Sequence, residues 1–454
     1  MFKRGRALAL VLVLVAALAS CSRGDEKETG GGSDDGTTDT TAGGSGDSRI
    51  ANGEFGDLGK VCQDGDAAGA SDTGVIDSEI KIGTITDKTN PASPGLNEEM
   101  YDTAVAFAAW CNANGGINGR DVVIEDLDAK LFEYADRIAD ACSGDIFALV
   151  GGGAVFDNAD EGAREACGLP SIPGFVVNPE ARSASLQVQP VPNPTTEYPL
   201  QQYQWVRDHY PDATKMGIFY VTYAGVETVF NQLKETVQSI GFDVAYERAY
   251  QPLGEQGWSN FVQEMQDADI QVVELVGEPV NMTNLLNAMQ VAGWYPKVIT
   301  MPPNMYDAKF TEEAKGSAGG DMYLRSAYPP FDMAADIPAL ADYLEMMQTY
   351  NEGGKYPALL GAQSLSAFLL FAKAATECGA DLTRDCLLEK AAATTEWEAG
   401  GLHAPTSPGN DIATRCGLIM KFTTDGFVYD EEATQPDDGE IYNCDDANIY
   451  KLGG

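Results

Sequence analysis

Few residues in this 454-residue chain have the types and spacing that enzyme chemistry requires. Its two histidines, His209 and His403, lie far apart in the sequence and in no catalytic pattern. The chain has no Gly-x-Ser-x-Gly, His-Glu-x-x-His or Gly-Lys-Ser/Thr motif, the common signs of a serine hydrolase, a zinc protease and a phosphate-binding loop. The acids Asp126 and Asp128 are more typical of a solvated strand end than of an acid–base pair. We therefore expect a binding protein rather than an enzyme, with no cofactor and no metal site.

The nine cysteines are the other residues that could form a covalent bond or bind a metal. Cys21 ends a leader segment, and the remaining even number suits disulfides formed in an oxidising compartment. A cysteine metal site is disfavoured because no Cys-x-x-Cys or histidine spacing accompanies these residues. The pairs that the positions favour are Cys378–Cys386, Cys416–Cys444, Cys142–Cys167 and Cys62–Cys111.

The first residues have the pattern of a secretion signal. A basic patch within residues 3–6 precedes an apolar run over residues 7–17, and Leu-Ala-Ser-Cys follows at residues 18–21. These four residues resemble the lipobox of bacterial lipoproteins, which predicts a signal peptide over residues 1–20 and lipidation of Cys21. An ordinary secreted protein that is cut elsewhere is the alternative. The predicted location is the extracytoplasmic face of the cell membrane, with the chain held there by lipid.

Residues 21–48 consist mainly of Gly, Ser, Thr, Asp and Glu, which predicts a flexible tether. Beyond it, we expect no second apolar stretch of the ~18 residues that a membrane span needs, and therefore membrane contact through lipid alone. The formal net charge of −40 makes the chain a poor partner for nucleic acid, and none is expected. An acidic tail contains Asp437, Asp438, Asp445 and Asp446 without EF-hand spacing, so the sequence leaves weak calcium binding open.

Strand and helix patterns alternate from residue 79 onward. EIKIGTIT (Glu79–Thr86) is the first expected strand, a helix follows over residues 98–114, and the alternation restarts after residue 196. This rhythm predicts parallel sheets with right-handed crossovers. Proline clusters at residues 190–199 and 329–338 indicate where the chain passes between two bodies. We predict an α/β fold with two Rossmann-like lobes and a multi-crossing hinge: an N-terminal lobe of residues 75–195 and 330–410, and a C-terminal lobe of residues 196–329 and 411–454.

A glycine run marks one candidate binding segment. Gly151-Gly152-Gly153 follows a short buried strand expected at residues 147–150. Ligands of open parallel sheets bind beyond the carboxyl ends of strands. We expect this turn to lead into a helix, whose backbone N–H groups and positive dipole end would suit an anion. The alternative is that the glycines serve only a tight turn.

Five short segments follow one another in a distinctive order: EIKIGTIT, NANGGINGR at residues 112–120, FALVGGG at residues 147–153, Tyr-Ala-Gly at residues 223–225 and ALLGAQSLSAFLLFAKA at residues 358–374. Together they resemble the solute-binding proteins of branched-chain amino-acid-type ABC transporters. The resemblance covers about residues 75–430 and implies the type I periplasmic binding fold, in which two lobes close on a ligand. It also implies delivery of a small molecule to ABC permease subunits. We expect a monomer.

The resemblance also indicates ligand-binding positions. In that family the first lobe holds a ligand carboxylate after its third and fourth strands, and an aromatic side chain of the second lobe closes over the ligand. The matching residues here are Leu96, Gly152, Gly153, Ala154, Val155, Phe175, Val176 and Tyr223.

Two departures from the family pattern affect the expected ligand. Ala154, Val155 and Phe175 stand near positions where hydroxyl side chains are usual, and the acid that would meet an α-ammonium falls near Pro303 or Asn304. Glu278 or Asp307 could replace that acid. Because an unpaired ammonium is costly to bury, leucine, isoleucine and valine are doubtful ligands, and a less charged or more apolar molecule, or an amide, fits as well.

The sequence thus predicts an extracytoplasmic receptor that captures an amino acid, an amide or a small carboxylate-like compound between two lobes and presents it to an ABC import permease. ATP hydrolysis would belong to partner subunits. The alternative is a ligand-sensing receptor of the same fold that signals to a membrane partner.

Overall fold

The computed structural model describes residues 48–453 except 92, 252–254, 352 and 355–357. The predicted signal peptide, Cys21 and nearly all of the predicted tether lie outside the described residues. Strands in the described part of the chain are β1 (Glu54–Phe55), β2 (Gly59–Lys60), β3 (Glu79–Thr86), β4 (Asp121–Asp128), β5 (Leu149–Val150), β6 (Ser171–Ile172), β7 (Glu197–Pro199), β8 (Lys215–Val221), β9 (Asp243–Tyr250), β10 (Val272–Val276), β11 (Val298–Met301), β12 (Asp321–Ser326), β13 (Cys416–Thr423), β14 (Gly426–Tyr429), β15 (Asn443–Cys444) and β16 (Ile449–Lys451).

Helices pack against these strands on the expected rhythm. They are α1 (Glu98–Ala113), α2 (Tyr134–Ser143), α3 (Glu161–Ala166), α4 (Pro179–Arg182), α5 (Gln201–His209), α6 (Ala224–Ser239), α7 (Trp258–Asp267), α8 (Pro279–Ala292), α9 (Ala308–Ala314), α10 (Pro338–Tyr350), α11 (Leu359–Cys378), α12 (Arg384–Ala392) and α13 (Glu431–Thr434).

The first lobe is built on a four-stranded parallel sheet in the order β4-β3-β5-β6. Strand β3 is central; Ile80 and Ile82 are fully buried on one of its faces, and Ile85 is buried on the other. Apolar side chains on both faces of a strand are typical of parallel sheets that are covered by helices. Helices α1 and α11 supply that cover on one face, and the rings of Phe107 and Phe368 stack between them at 5.0 Å.

The second lobe is built on a larger sheet in the order β14-β13-β12-β11-β10-β8-β9, with β15 paired to β13. Strands β12, β11, β10, β8 and β9 are parallel, whereas β13 and β14 add antiparallel strands at one edge. Strand β10 is buried along its whole length, and all of its residues except Glu274 are apolar. The sheets agree with the predicted α/β class and its two lobes.

Each sheet has its own apolar core. The first core draws buried residues from positions 50–188 and 328–402, and the second mainly from positions 203–324 and 418–433. The chain therefore passes between the lobes near residues 189–202, 325–327 and 403–417, close to the proline clusters. The boundaries that we assigned at residues 195/196, 329/330 and 410/411 stay predictions.

Four disulfides are present: Cys62–Cys111, Cys142–Cys167, Cys378–Cys386 and Cys416–Cys444. These are the pairs that the sequence positions favoured. The first three join segments of the first lobe, and the last closes the β13–β15 corner of the second.

Helix α11 corrects one expectation about membrane spans. The segment Leu359–Asp381 is long and apolar enough to cross a membrane by length and composition. In this structure 78% of its apolar window is buried inside the protein, where it packs against α1 and α12. Its apolar residues are therefore explained by the core of the first lobe.

The glycine run also behaves differently from the prediction. Gly152 and Gly153 turn after β5, but the next helix, α3, begins only at Glu161. The expected helix immediately after the glycines is wrong, because residues 151–160 form an irregular connection. The structure therefore provides no helix N-terminus at this turn that could bind an anion.

Candidate functional site

A cleft of about 330 Å³ lies between the two lobes. Its walls come from the carboxyl ends of β3, β5 and β6 in the first lobe and of β8, β10 and β11 in the second, together with the first turn of α11. This is where parallel sheets place their loops and where ligands of such sheets bind. Most of the wall is apolar, and the valines and phenylalanines that line it are Val155, Val176, Val177, Val221, Val226, Val229, Val276, Val280, Phe175 and Phe310.

Seven of the ten residues that we predicted as ligand contacts lie on this wall. They are Leu96, Val155, Phe175, Val176, Tyr223, Glu278 and Asn304. Gly152, Gly153 and Ala154 instead line a separate pocket of only about 20 Å³. Ligand contact by any of the ten stays a prediction.

Close packing explains why glycine stands at the two positions before Ala154. A Cβ on Gly152 would lie 2.4 Å from the Ile85 carbonyl oxygen, and one on Gly153 would lie 2.3 Å from the Phe175 ring. Both distances are too short for a side chain, so the turn needs glycine for its approach to β3 and to Phe175. The structure thus supports the packing role that we considered as the alternative.

Tyr223 stands at the end of β8, immediately before α6, and is 8% exposed. Its ring meets the Phe156 ring of the first lobe edge to face at 5.1 Å, so it bridges the mouth of the cleft. Its hydroxyl has no hydrogen-bond partner among the described residues. Burial, followed by the nearby charge of Glu278, raises the pKa of Tyr223, which therefore stays a neutral phenol.

Glu278 follows β10 and precedes α8 on the second-lobe wall. Its Oε2 atom accepts hydrogen bonds from Asn281 Nδ2 at 2.9 Å and from the Tyr250 hydroxyl at 3.4 Å. Burial raises the pKa of Glu278, and the hydrogen bond from its own backbone N–H, followed by these two donors, partly offsets the effect.

Two lining asparagines turn their amide nitrogens away from the ligand space. Asn97 Nδ2 donates to the Gly153 carbonyl at 3.3 Å, and Asn304 Nδ2 donates to the Gly277 carbonyl at 2.9 Å. Since each amide nitrogen is held by a backbone carbonyl, each Oδ1 atom is left without a donor in the described structure. The resemblance implies an acid near Pro303 or Asn304, and Asn304 has an uncharged amide there.

Gln363 is a wall residue that the sequence reasoning missed. It lies in the first turn of α11 and lines the cleft, and its Oε1 atom is buried with no hydrogen-bond partner. The sequence analysis used the surrounding ALLGAQ segment only as evidence of family resemblance. Gln363 is a polar residue in an apolar segment, and this was the available signal of a binding role, because burying an amide oxygen without a hydrogen bond is costly.

Direct contacts join the two lobes beside the cleft. Asn178, which immediately precedes α4, approaches Gly225 of α6 so closely that a Cβ on Gly225 would lie 1.8 Å from Asn178 Oδ1. Nearby, Arg182 Nη1 donates to Gln232 Oε1 at 2.8 Å. The lobes are therefore closed against each other along this edge.

Buried Asp157 fixes the first-lobe side of this contact. Its carboxylate accepts hydrogen bonds from the Val177 and Asn178 backbone N–H groups at 2.5 and 3.0 Å. Burial raises the pKa of Asp157 to about 7 despite these donors. Asn178 is thereby held in place for the approach to Gly225.

A family model described as periplasmic binding protein matches residues 79–426. This chain belongs to the periplasmic binding protein family. The match covers the first sheet, the second sheet up to the start of β14, and every element that lines the cleft. Membership places the chain outside the cytoplasmic membrane. No curated protein sequence matches this periplasmic binding protein significantly.

Solved structures share the fold of this periplasmic binding protein at low sequence identity. A fatty acid ABC transporter substrate-binding protein from Thermomonospora curvata is 17% identical with a TM-score of 0.70, over 85% of this chain and 97% of that one. The leucine-binding protein LivK from Thermotoga maritima is 16% identical with a TM-score of 0.62, over 77% and 97%. An ABC transporter substrate-binding protein from Desulfitobacterium hafniense, in complex with Leu, is 14% identical with a TM-score of 0.55, over 78% and 100%. These neighbours are binding proteins rather than enzymes, and they establish the type I periplasmic binding fold.

One pair in this periplasmic binding protein looks catalytic in isolation. Ser366 Oγ lies 2.8 Å from His403 Nε2, while His403 Nδ1 donates to the Ala404 carbonyl at 2.7 Å. Both residues are buried outside the cleft, and burial lowers the pKa of His403 to about 4. The Trp397 indole N–H also donates to Ser366 Oγ at 2.9 Å, which completes a core network. The pair therefore joins α11 to the loop that contains His403, and it does not line the cleft.

Metal ligands are not grouped in the described part of this periplasmic binding protein. No three His, Cys, Asp or Glu side chains there lie close enough together to hold a metal ion. Within the acidic tail, Asp437 and Asp445 instead accept hydrogen bonds from the backbone N–H groups of Cys444 and Ala447.

Proposed function

We propose that this protein is an extracytoplasmic solute receptor, anchored through a lipid on Cys21, that encloses a small, largely apolar molecule and presents it to an ABC import permease. The observation that carries the proposal is the cleft, whose apolar wall is shared between two lobes already in contact at Phe156 and Tyr223. Ligand contact with both lobes stabilises the closed form and makes it recognisable to a partner.

The ligand classes that we propose are an amino acid, an amide or a small carboxylate-like compound with an apolar body. Family membership supports the receptor role. Neighbours of this fold are described as binding fatty acid and leucine, which are also largely apolar. The volume of about 330 Å³ is at the lower end of ordinary small-molecule sites.

Thermal unfolding of residues 47–454, which form one compact unit, tests the receptor role. The panel is amino acids, amides, short carboxylates and aromatic acids. A ligand at a hundred times its Kd stabilises the folded protein by about 2.7 kcal/mol, which would raise Tm by several degrees. Absence of any shift across the panel, together with no small molecule released from denatured protein in mass spectrometry, would contradict the proposal.

An uptake assay distinguishes a receptor that delivers its ligand for transport from a receptor that only senses the ligand. Cells that lack this chain should lose import of a radiolabelled ligand identified in the panel, whereas a sensor would leave uptake by the permease itself intact.

Cys21→Ser tests the anchor, because it should move the protein from the membrane fraction to the medium. Retention of the variant in the membrane fraction would exclude lipidation of Cys21 as the anchor.

A further inference from the structure

The loop between β4 and α2 places one leucine of the first lobe in the core of the second. Leu131 is fully buried, and it belongs to the apolar core whose other buried members all lie within residues 203–433. Ala129 before it and Tyr134 after it belong instead to a separate apolar cluster of the first lobe. Leu131 is not among the described residues that line the cleft. The leucine therefore forms a contact between the lobes that lies outside the ligand space.

The backbone of this loop is strained. Lys130 and Leu131 have φ angles of 48° and 76°, in the left-handed region that residues with a Cβ rarely adopt. This conformation is unfavourable for a bulky residue such as leucine, and it persists only where the surrounding structure holds it. Burial of the Leu131 side chain in the second lobe supplies a compensating interaction when the lobes are closed.

A buried carboxylate holds the loop in this conformation. Asp87 directly follows β3 and is fully buried, and its Oδ1 atom accepts the Leu131 N–H at 2.7 Å. Its Oδ2 atom accepts the N–H of Val155, a residue of the cleft wall, at 2.8 Å. The Ala129 N–H also donates to the Thr86 carbonyl at 2.7 Å. The Asp87 side chain thus positions both the inserted leucine and one residue that lines the cleft.

We infer that residues 129–133 form an interlobe latch, in which Leu131 seated in the second lobe stabilises the closed form and slows ligand release from outside the cleft. The inference rests on the proposed function, because it concerns the closure that encloses the ligand. When the lobes separate, the leucine side chain leaves its apolar site and meets water, which is unfavourable. The hydrogen bonds of Asp87 and Thr86 join first-lobe residues only, so the loop keeps its shape and can insert again.

A latch outside the cleft differs from a cleft residue in its effect on specificity. It contributes the same free energy to the closed complex of every ligand, since it touches none of them. Loss of the latch should therefore weaken the binding of different ligands by the same factor and leave their order of affinity unchanged. A residue that contacts the ligand would change that order.

Photo-cross-linking tests the seating of the leucine without any ligand. Photo-leucine, a diazirine analogue close in size to leucine, replaces Leu131, and the cross-linked peptides are identified by mass spectrometry. We expect cross-links from position 131 to residues within 203–433. Photo-leucine in place of Leu387, which is buried in the first core, is the matched control and should cross-link within the first lobe. Cross-links from position 131 to first-lobe residues alone would overturn the inference.

Calorimetry with leucine, benzamide and phenylacetate tests the effect on binding. For each compound that binds wild type, Leu131→Ala should raise Kd tenfold or more by a common factor, with little change in Tm without ligand. Leu131→Met fills a similar volume and should stay within threefold of wild type. Leu186→Ala is the matched control, because Leu186 also has a positive φ, 52°, but belongs to neither core.

The outcomes separate the latch from the receptor function. An unchanged Kd in folded Leu131→Ala, or factors that differ widely between compounds, would overturn the latch and leave the receptor function intact. If none of the three compounds binds wild type, the result counts against the ligand classes proposed above, and the cross-links alone decide whether Leu131 is seated in the second lobe.

Asp87→Asn tests the positioning role of the buried carboxylate. Asparagine keeps one oxygen acceptor and replaces the other with an amide that cannot accept an N–H. We expect weaker binding in the wild-type background and little further loss in the Leu131→Ala background, because side chains that act through one contact are not additive. An equal loss in both backgrounds would show that Asp87 acts through Val155 and would remove it from the latch.

Discussion

At the scale of single residues, Tyr223 and Glu278 are the side chains on which binding should depend most. Tyr223 contacts Phe156 across the cleft, and its hydroxyl has no partner in the described structure. Glu278 lines the second-lobe wall, and burial raises its pKa. Both side chains place a polar group on an apolar wall, which is the usual arrangement for orienting a small ligand.

Tyr223→Ala should weaken ligand binding tenfold or more, which corresponds to about 1.4 kcal/mol. The variant loses both the contact with Phe156 and the unpartnered hydroxyl. Tyr223→Phe keeps the ring and should lose less affinity. Calorimetry measures both variants, and an unchanged affinity in Tyr223→Ala would remove Tyr223 from the site, provided that its Tm shows the protein to be folded.

Sequence reasoning reached part of this residue-scale description. Tyr223 was indicated by the family resemblance, and Glu278 was a candidate because it could replace the family's acid. Gly152 was assigned to the site for a helix that does not begin there, because a glycine-rich turn has the same composition whether it binds an anion or packs against a strand. Gln363 was missed because its role depends on which face of α11 meets the cleft, and that depends on tertiary packing.

At the scale of elements, the start of α6 limits how closely the second lobe can approach the first. Gly225 lies in the first turn of α6 beneath Asn178, and Asp157 holds Asn178 in place. Only a residue without a side chain fits at this contact. Asn178 immediately precedes the four-residue helix α4, whereas α6 is a 16-residue helix that packs on β8, β9 and β10.

Gly225→Ala should therefore obstruct closure without unfolding either lobe. Its Cβ would lie 1.8 Å from Asn178 Oδ1 in the closed form, while in an open form alanine favours the helix by roughly 0.5–1 kcal/mol. We expect weaker ligand binding, an unchanged or higher Tm without ligand, and a loss of the ligand-induced contraction seen by small-angle X-ray scattering.

The control for this prediction is Gly162→Ala in α3, where nothing lies within 4 Å of the added Cβ. It offers the same gain in helix propensity and no contact between lobes, so its ligand affinity should equal that of wild type. Normal contraction of Gly225→Ala on ligand addition would show that the Asn178 contact does not limit closure.

Elements were more predictable than their contacts. The strand at Glu79–Thr86 follows the expected bounds because its isoleucines alternate with other residues and its ends carry polar residues. Residues 151–177 were less predictable, since β5 and β6 are only two residues long and most of this segment is irregular. The meeting of Asn178 with Gly225 brings together positions 47 apart in different lobes, which local sequence patterns do not encode.

At the scale of the whole molecule, stability should depend on pH through a carboxyl group in the second core. Glu274 is fully buried in β10 and accepts hydrogen bonds from the Tyr203 hydroxyl at 2.8 Å and from Thr300 Oγ1 at 2.7 Å. Burial raises its pKa from the ordinary 4.5 to about 7 in the folded protein. The folded state therefore keeps a proton that the unfolded state has released.

The free energy of unfolding should accordingly fall as pH rises from about 4.5 to about 7, and then level off with respect to this group. The loss is on the order of 3 kcal/mol, because each pKa unit corresponds to about 1.4 kcal/mol. Glu274→Gln keeps an acceptor for one hydroxyl and cannot ionise, so it should make this slope shallower, while Asp157, whose pKa burial also raises to about 7, keeps a slope of the same sign. Urea unfolding of both proteins at pH 5, 6, 7 and 8 measures the difference, and equal slopes would contradict the assignment to Glu274.

The chain enters the fold entirely through the first lobe. The Ile50 carbonyl accepts the Trp110 indole N–H at 2.8 Å, Arg49 pairs with Asp342 of α10 at 2.9 Å, and Cys62 is bonded to Cys111. A pulling force applied at residue 48 would pass through these bonds into α1 and α10. The second lobe lies outside that load path, so tension on the leading segment would fix the orientation of one lobe while the other remained mechanically free to swing.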